Sequence, residues 1–82
     1  MYIHLGNNYV IAARDIIAIL NIEKPYSNDI KEILEIAELD KNLVNIGYNG
    51  KEKSMIICDD KVYLSPISSN TLHKRALSDC GE

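Results

Sequence analysis

The sequence predicts a small α+β domain, and two observations support this. Runs in which polar and apolar residues alternate, as in half-buried strands, lie at the start of the chain and in its second half, with helix-period apolar spacing between them. Gly and Pro occur singly between these runs, without an internal repeat or a linker. We therefore expect one domain over residues 1–82, of which residues 79–82 form a flexible tail.

The composition is that of a folded protein of limited size. The chain has 82 residues, is 46% hydrophobic and has a net charge of −3. A domain of this size buries only ~60% of the surface of its unfolded chain, which allows one core and no deep cleft. Its longest uncharged apolar run, residues 16–22, is shorter than the ~20 residues of a membrane helix, and the N-terminus lacks signal-peptide features. We expect a cytoplasmic protein that does not contact membranes.

The start of the chain predicts a β-hairpin followed by a helix. Residues 2–5 and 9–12 have strand character and flank a Gly6-Asn7-Asn8 turn. Beyond Ala13, the apolar spacing of residues 16–20 fits the buried side of a short first helix that ends near Asn21.

A second helix is predicted after Pro25, which prevents continuation of the first. Ser27 or Asn28 can cap its N-terminus. Its apolar side repeats at helical spacing and consists of Ile30, Ile33, Leu34 and Ala37.

The second half predicts a three-stranded antiparallel meander and a short C-terminal helix. Residues 43–48 and 51–58 flank Asn49-Gly50, a pair that favours a type I′ hairpin turn. Asp59-Asp60 marks another reversal before the third strand, which Pro66 ends. The cap of the final helix is expected among Ser68, Ser69 and Asn70.

Catalytic chemistry is not expected from this chain. His4 and His73 lie on different predicted elements, and neither they nor the two cysteines have metal-ligand spacing. No glycine-rich phosphate loop is present, and no Ser or Cys on a sharp turn is combined with a base and an orienting acid as a nucleophilic triad requires. We predict neither an enzyme, nor a metal site, nor a cofactor.

Positive charge is concentrated in the second half, where residues 41–78 contain six Lys and Arg against three Asp and Glu. Lys51 and Lys53 are two residues apart and would project to the same side of one strand, where they can contact phosphates. Exposed strand lysines also serve as a routine guard against edge aggregation. Arg14, at the start of the predicted first helix, opposes the helix dipole and so indicates an outside partner.

Three segments resemble one family of proteins. They are Met1-Tyr2-Ile3-His4-Leu5-Gly6, Arg14-Asp15-Ile16-Ile17 and the run from Tyr63 through Ser65-Pro66-Ile67-Ser68-Ser69-Asn70 to Ala76. Over residues 1 to about 77 the chain resembles the Rem-type extracellular matrix regulatory proteins of Gram-positive bacteria, more closely the RemB branch than the RemA branch.

The resemblance implies a cytoplasmic protein that forms closed rings and has a fold similar to LytTR-type DNA-binding domains. In the RemA branch the rings bind DNA through arginines and activate matrix and osmoprotection operons. The helix-start arginine of that branch falls on Arg14, and its basic hairpin residues fall around Gly50, Lys51 and Lys53. Lys contacts phosphate as a point charge without the bidentate fork of Arg, so softer contacts are expected.

Two functions follow from these observations. The first is a ring-forming transcriptional regulator of matrix and biofilm genes that contacts the DNA backbone through Arg14, Lys51 and Lys53. The second is a self-assembling adaptor that binds a protein, such as a related regulator, and does not bind DNA. A homo-oligomer is expected in both cases.

Overall fold

The structure, a computed structural model, describes residues 2–47 and 50–80, with backbone alone for residues 77–80. It confirms the predicted α+β class. A short 3₁₀ turn, Ala13–Asp15, joins the second and third strands. The regular elements are β1 (Tyr2–Gly6), β2 (Tyr9–Ala12), β3 (Ile16–Asn21), α1 (Asn28–Leu39), β4 (Leu43–Asn45), β5 (Ser54–Cys58), β6 (Val62–Ser65) and α2 (Ser69–Cys80).

The predicted N-terminal hairpin is confirmed, since β1 and β2 pair antiparallel as a two-stranded sheet. Asn7 and Asn8 both have positive φ, 46° and 69°, as the central residues of a type I′ turn require. Alternation along β1 buries Ile3 and Leu5 in the core and leaves the intervening His4 exposed.

The predicted first helix is wrong, because residues 16–21 form strand β3. This strand pairs antiparallel with β5, with Ala18 opposite Ile57 and Leu20 opposite Met55. Three of its six residues are isoleucines, whose β-branched side chains lose freedom in a helix and suit a sheet, and no side chain caps a helix there. Pairing with a strand far along the chain therefore decides the conformation.

The predicted meander is correct for β5 and β6 and wrong for β4. β5 and β6 pair antiparallel across the predicted Asp59-Asp60 reversal, but β4 pairs parallel with β6 at the far edge of a sheet ordered β3-β5-β6-β4. Segment 46–53 is long enough to cross β6, so it joins strands that are not neighbours. Asn49 of the predicted turn lies outside the described residues.

The two helices lie on opposite faces of the four-stranded sheet. α1 packs its apolar side on a cluster of Ile22, Met55 and Leu64, whereas α2 and the N-terminal hairpin cover a second cluster that contains Ile56 and Leu72. Both predicted caps are present: Ser27 Oγ accepts from Ile30 N at 3.3 Å, and Ser68 Oγ accepts from Thr71 N at 3.2 Å.

The C-terminal end of α2 overlaps the predicted tail. Residues 79 and 80 belong to the helix, and residues 81 and 82 lie outside the described part of the chain. Among the described residues, neither helix has the length and apolar character needed to cross a membrane.

Candidate nucleic-acid interface

A shallow groove of about 340 Å³ lies where the tip of the N-terminal hairpin meets the segment that leads into β5. The hairpin tip is fixed there because Asn7 Nδ2 donates a hydrogen bond of 2.6 Å to the carbonyl oxygen of Ile46. The groove therefore joins residues that are far apart in the chain. Its lining consists of Asn7, Gly47, Lys51, Lys53 and Pro66.

Lys51 and Lys53 lie along this groove, and both are exposed. The backbone of Lys53 continues the ladder of β5 by one residue: its amide donates to Ser65 O at 2.9 Å, and its carbonyl accepts from Ile22 N at 3.2 Å. An extended backbone directs alternate side chains to opposite sides, so the two lysines share one side and Glu52 points to the other. Their two-residue spacing predicts this arrangement.

The carboxylate of Glu52 is the centre of a polar cluster behind the two lysines, which we call the Glu52 cluster and which comprises Lys24, Tyr26, Asn45, Gly50 and Glu52. Asn45 Nδ2 donates to Glu52 Oε1 at 3.0 Å. Gly50 N lies 3.2 and 3.1 Å from the two carboxylate oxygens. Lys24 Nζ is 3.9 Å from Oε2, and the side chain of Glu52 is only 6% exposed.

The Glu52 cluster favours the charged carboxylate. Burial by itself raises the pKa of Glu52, but hydrogen bonds from its own amide and from Asn45 and Gly50 outweigh this effect. The positive charge of Lys24 also lowers the pKa of Glu52, which therefore lies below its ordinary value. Burial raises the pKa of Tyr26, and the charge and hydrogen bonding of Glu52 raise it further.

Arg14 lies on the 3₁₀ turn Ala13–Asp15 and is exposed. The residue after this turn, Ile16, pairs with Cys58 at the C-terminal end of β5, whereas Lys51 and Lys53 precede its N-terminal end. β5 has five residues, so at ~3.4 Å per residue its N-terminal and C-terminal ends lie ~14 Å apart. The structure brings the two lysines together and places Arg14 apart from them.

The surroundings of Arg14 are of mixed charge. Burial raises the pKa of the Cys58 thiol, and the carboxylates of Asp15, Asp60 and Asp59 raise it further, so negative charges reach this end of the sheet. The described residues of the groove lining, by contrast, include two lysines and no acidic side chain. The groove is therefore the stronger candidate for an anion site, and Arg14 lies outside it.

Asn7 and Glu52 belong to this site, although sequence reasoning did not select them. The alternation Lys51-Glu52-Lys53 contains a signal for Glu52, because it predicts a carboxylate on the side opposite the two lysines. No comparable signal exists for Asn7, whose place in the groove depends on its hydrogen bond to Ile46 across the fold.

A second surface feature is an apolar groove of about 280 Å³ between β3 and α2, lined by Ile3, Ala13, Ile16, Ile17, Ala18, Ile19, His73 and Ala76. β3 is an edge strand of its sheet. The pairing with β5 shifts register between Ile16 and Ala18, so Ile17 is the extra residue of a β-bulge, and this residue is 64% exposed.

The structure thus combines a small α+β fold with a lysine-lined groove and an exposed apolar strand edge, surfaces of the kind through which proteins bind other molecules. The chain belongs to the RemA-like family, described as extracellular matrix regulatory protein A-like, whose model matches residues 2–76. This result confirms the predicted Rem-type membership, and the family is named for regulation and not for a catalysed reaction.

Individual relatives support the same assignment. Extracellular matrix regulatory protein B of Bacillus subtilis (strain 168) is 40% identical over 76 residues, which cover 93% of this chain and 90% of the relative. Putative regulatory proteins of Oceanobacillus iheyensis and Finegoldia magna are 33% and 35% identical, over 94% and 87% of this chain and 87% and 83% of their own. The similarity to a protein B confirms the predicted placement near the RemB branch.

Proposed function

We propose that this chain is a ring-forming transcriptional regulator of extracellular matrix genes, and that it binds the DNA backbone through Lys51, Lys53 and Arg14. The observation that supports this proposal most directly is the groove that two exposed lysines line. The name of the B. subtilis relative supplies the regulated process.

Lysines suit a sequence-independent contact. An ammonium group binds phosphate as a point charge, whereas base-edge readout requires bidentate donors such as Arg, Asn or Gln. Among the described residues that line the groove, Asn7 is the one with an amide side chain, and its Nδ2 already donates to Ile46 O. Recognition by DNA shape and backbone position is therefore favoured over direct readout.

Repetition of the subunit has a physical reason. One protomer offers two groove lysines and a separate arginine on a chain of net charge −3, which is too few contacts for tight binding. When several copies are linked, each later contact forms at a high effective concentration, and many weak contacts give usable affinity. The ~14 Å length of β5 separates Arg14 from the lysines, which would let one protomer reach phosphates on different parts of the duplex.

The open edge of β3 offers a surface for subunit contacts. Ile17 is a large apolar side chain that is 64% exposed beside the apolar groove between β3 and α2. In a ring, a neighbouring copy would cover this surface and supply burial that a chain of this length lacks. We also propose, as the family resemblance implies, a relationship to LytTR-type DNA-binding domains.

Fluorescence anisotropy on a labelled matrix-operon promoter duplex tests DNA binding. Lys51→Ala, Lys53→Ala and Arg14→Ala should each weaken binding and reduce the slope of log K against log salt by about 0.9 per lost phosphate contact. Lys31→Ala is the matched control, because it removes the same charge from the exposed acidic side of α1. Absence of binding at low salt, or equal effects of all four variants, would refute the proposal.

Light scattering on the purified protein tests assembly. We expect a mass of several subunits for the wild type and a smaller mass for Ile17→Asp, because a charge in the apolar groove opposes desolvation at the contact. A wild-type mass of one subunit across micromolar concentrations would exclude a ring.

A second candidate function is the self-assembling adaptor, which the surface of α1 favours. Ile36 and Leu39 are 54% and 76% exposed there among acidic residues, a combination suited to a protein with a basic, partly apolar surface. Ile36→Ser with Leu39→Ser would then abolish capture of a related regulator and leave the anisotropy signal on DNA unchanged.

A further inference from the structure

Glu52 lies between the two groove lysines in the sequence, yet its side chain is on the opposite side of the segment and nearly buried. We infer that Glu52 is a positioning residue, which holds residues 50–53 in the conformation that directs Lys51 and Lys53 into the groove. This inference rests on the proposed DNA binding. The negative charge of Glu52 would disfavour that binding, whereas its hydrogen bonds would favour it by positioning the two lysines.

The carboxylate joins three parts of the chain. It accepts from the amide of Gly50 at 3.1 and 3.2 Å, which closes the turn just ahead of Lys51. It also accepts from the side chain of Asn45 on β4 at 3.0 Å. An ion pair of 3.9 Å connects it to Lys24, in the loop that precedes α1.

Side-chain packing does not hold Gly50 in place. Gly50 has a φ of 88°, and a Cβ atom built there would have no neighbouring atom within 4 Å, so its surroundings are open. On the other side of Lys51, the backbone of Lys53 is fixed by hydrogen bonds to Ser65 and Ile22. The position of Lys51 therefore depends on the carboxylate of Glu52, which anchors the turn from behind.

Charge and geometry predict opposite effects for the same substitution. A carboxylate near bound phosphates repels them, so a role through charge alone predicts that Glu52→Gln tightens DNA binding. A positioning role predicts weaker binding, because the released segment and two long lysine side chains must be ordered again when DNA binds. The sign of the change distinguishes the two roles.

Glu52→Asp provides the complementary test. Its side chain keeps the negative charge but is one methylene shorter, so it cannot reach Gly50, Asn45 and Lys24 together from the same backbone position. A role through charge alone predicts wild-type affinity for Glu52→Asp. A positioning role predicts a loss.

The experiment measures anisotropy of the full-length variants on the labelled promoter duplex, with circular dichroism to verify folding. We expect Glu52→Gln and Glu52→Asp to weaken binding on the order of tenfold, the scale for ordering two long side chains. The matched control is Glu35→Gln, which removes the same charge from the exposed side of α1 and should leave binding unchanged or slightly tighter.

A second readout does not depend on DNA. Amide order parameters of residues 50–53 in the assembled protein should fall in Glu52→Gln and remain unchanged in Glu35→Gln. The positioning role would be overturned if Glu52→Gln left these order parameters unchanged or bound DNA more tightly. This holds even if Lys51→Ala weakens DNA binding and the proposed function stands. If Lys51→Ala and Lys53→Ala both leave DNA binding unchanged, the proposed function fails, and the order parameters alone then decide whether Glu52 holds the segment.

Discussion

The hydroxyl group of Ser65 donates a hydrogen bond of 2.6 Å to the carbonyl oxygen of Leu5, a residue sixty positions earlier in the chain. The same hydroxyl accepts a bond of 3.0 Å from the amide of Ile67, and Ser65 is fully buried. One hydroxyl therefore connects the end of β1, which leads to the hairpin tip at the groove, with the end of β6.

Ser65→Ala should lower the free energy of unfolding by about 1–3 kcal/mol, because the substitution leaves the buried carbonyl of Leu5 and the part-buried amide of Ile67 without their partner. Urea unfolding at one fixed protein concentration measures the change. Ser68→Ala is the comparison, since its partner amide is exposed to water and loss of a helix cap costs ~1 kcal/mol. A loss at Ser65 of only a few tenths of a kcal/mol would contradict the structure.

Lys41→Gly should raise the free energy of unfolding by about 0.5–1 kcal/mol. Lys41 has a φ of 61° directly after the C-terminus of α1, where Asn42 N donates to Ala37 O at 2.8 Å, the bond pattern of a helix end that favours glycine. Lys31→Gly, inside the same helix, should lower the free energy of unfolding by ~1 kcal/mol. Because both substitutions are Lys→Gly, the difference between them reports the backbone conformation at each position. If both substitutions changed the free energy of unfolding in the same direction, this would be evidence against the left-handed conformation of Lys41.

Replacement of the groove lysines by arginine should tighten DNA binding. In Lys51→Arg with Lys53→Arg, the planar guanidinium groups can bind phosphates bidentately, whereas an ammonium group makes a softer contact. The anisotropy assay should show higher affinity than for the wild type, and Lys31→Arg should match the wild type. Unaltered affinity in the double variant would indicate that these side chains do not face phosphates.

The stability of the wild type should fall more steeply in acid than that of Glu52→Gln. The pKa of Glu52 is lowered in the folded protein, so its contribution to stability is present above the unfolded pKa of about 4.3 and disappears as pH falls through the folded value. Thermal unfolding across this range should show the difference between the two proteins shrinking toward low pH. A constant difference would mean that the folded environment does not favour the carboxylate.

The elements that sequence alone predicts are those that local chemistry decides. The turn at Asn7 and Asn8 and the cap at Ser27 involve neighbouring residues, so the hairpin and α1 appear as expected. Strand β3 is different, because its short isoleucine run fits either a helix or a strand, and pairing with β5 selects the strand. The position of β4 beside β6 likewise depends on a distant partner.

In the candidate site, too, local features could be predicted from the sequence, whereas features that depend on distant residues could not. The side shared by Lys51 and Lys53 follows from strand alternation and was predictable. The role of Glu52 depends on Lys24 and Asn45, which reach it only after folding. The separation of Arg14 from the lysines also required the strand order, because the misassigned first helix gave no indication of distance along β5.

The bulge at Ile17 protects the open edge of β3 against strand-by-strand aggregation. An Ile-rich strand with an open edge is a template for endless intermolecular sheets, as in fibrils. The register shift between Ile16 and Ala18 interrupts the regular ladder on that edge. Growth by continuous backbone pairing along this edge is therefore discouraged, so a strand rich in isoleucine can remain at the open edge of the sheet.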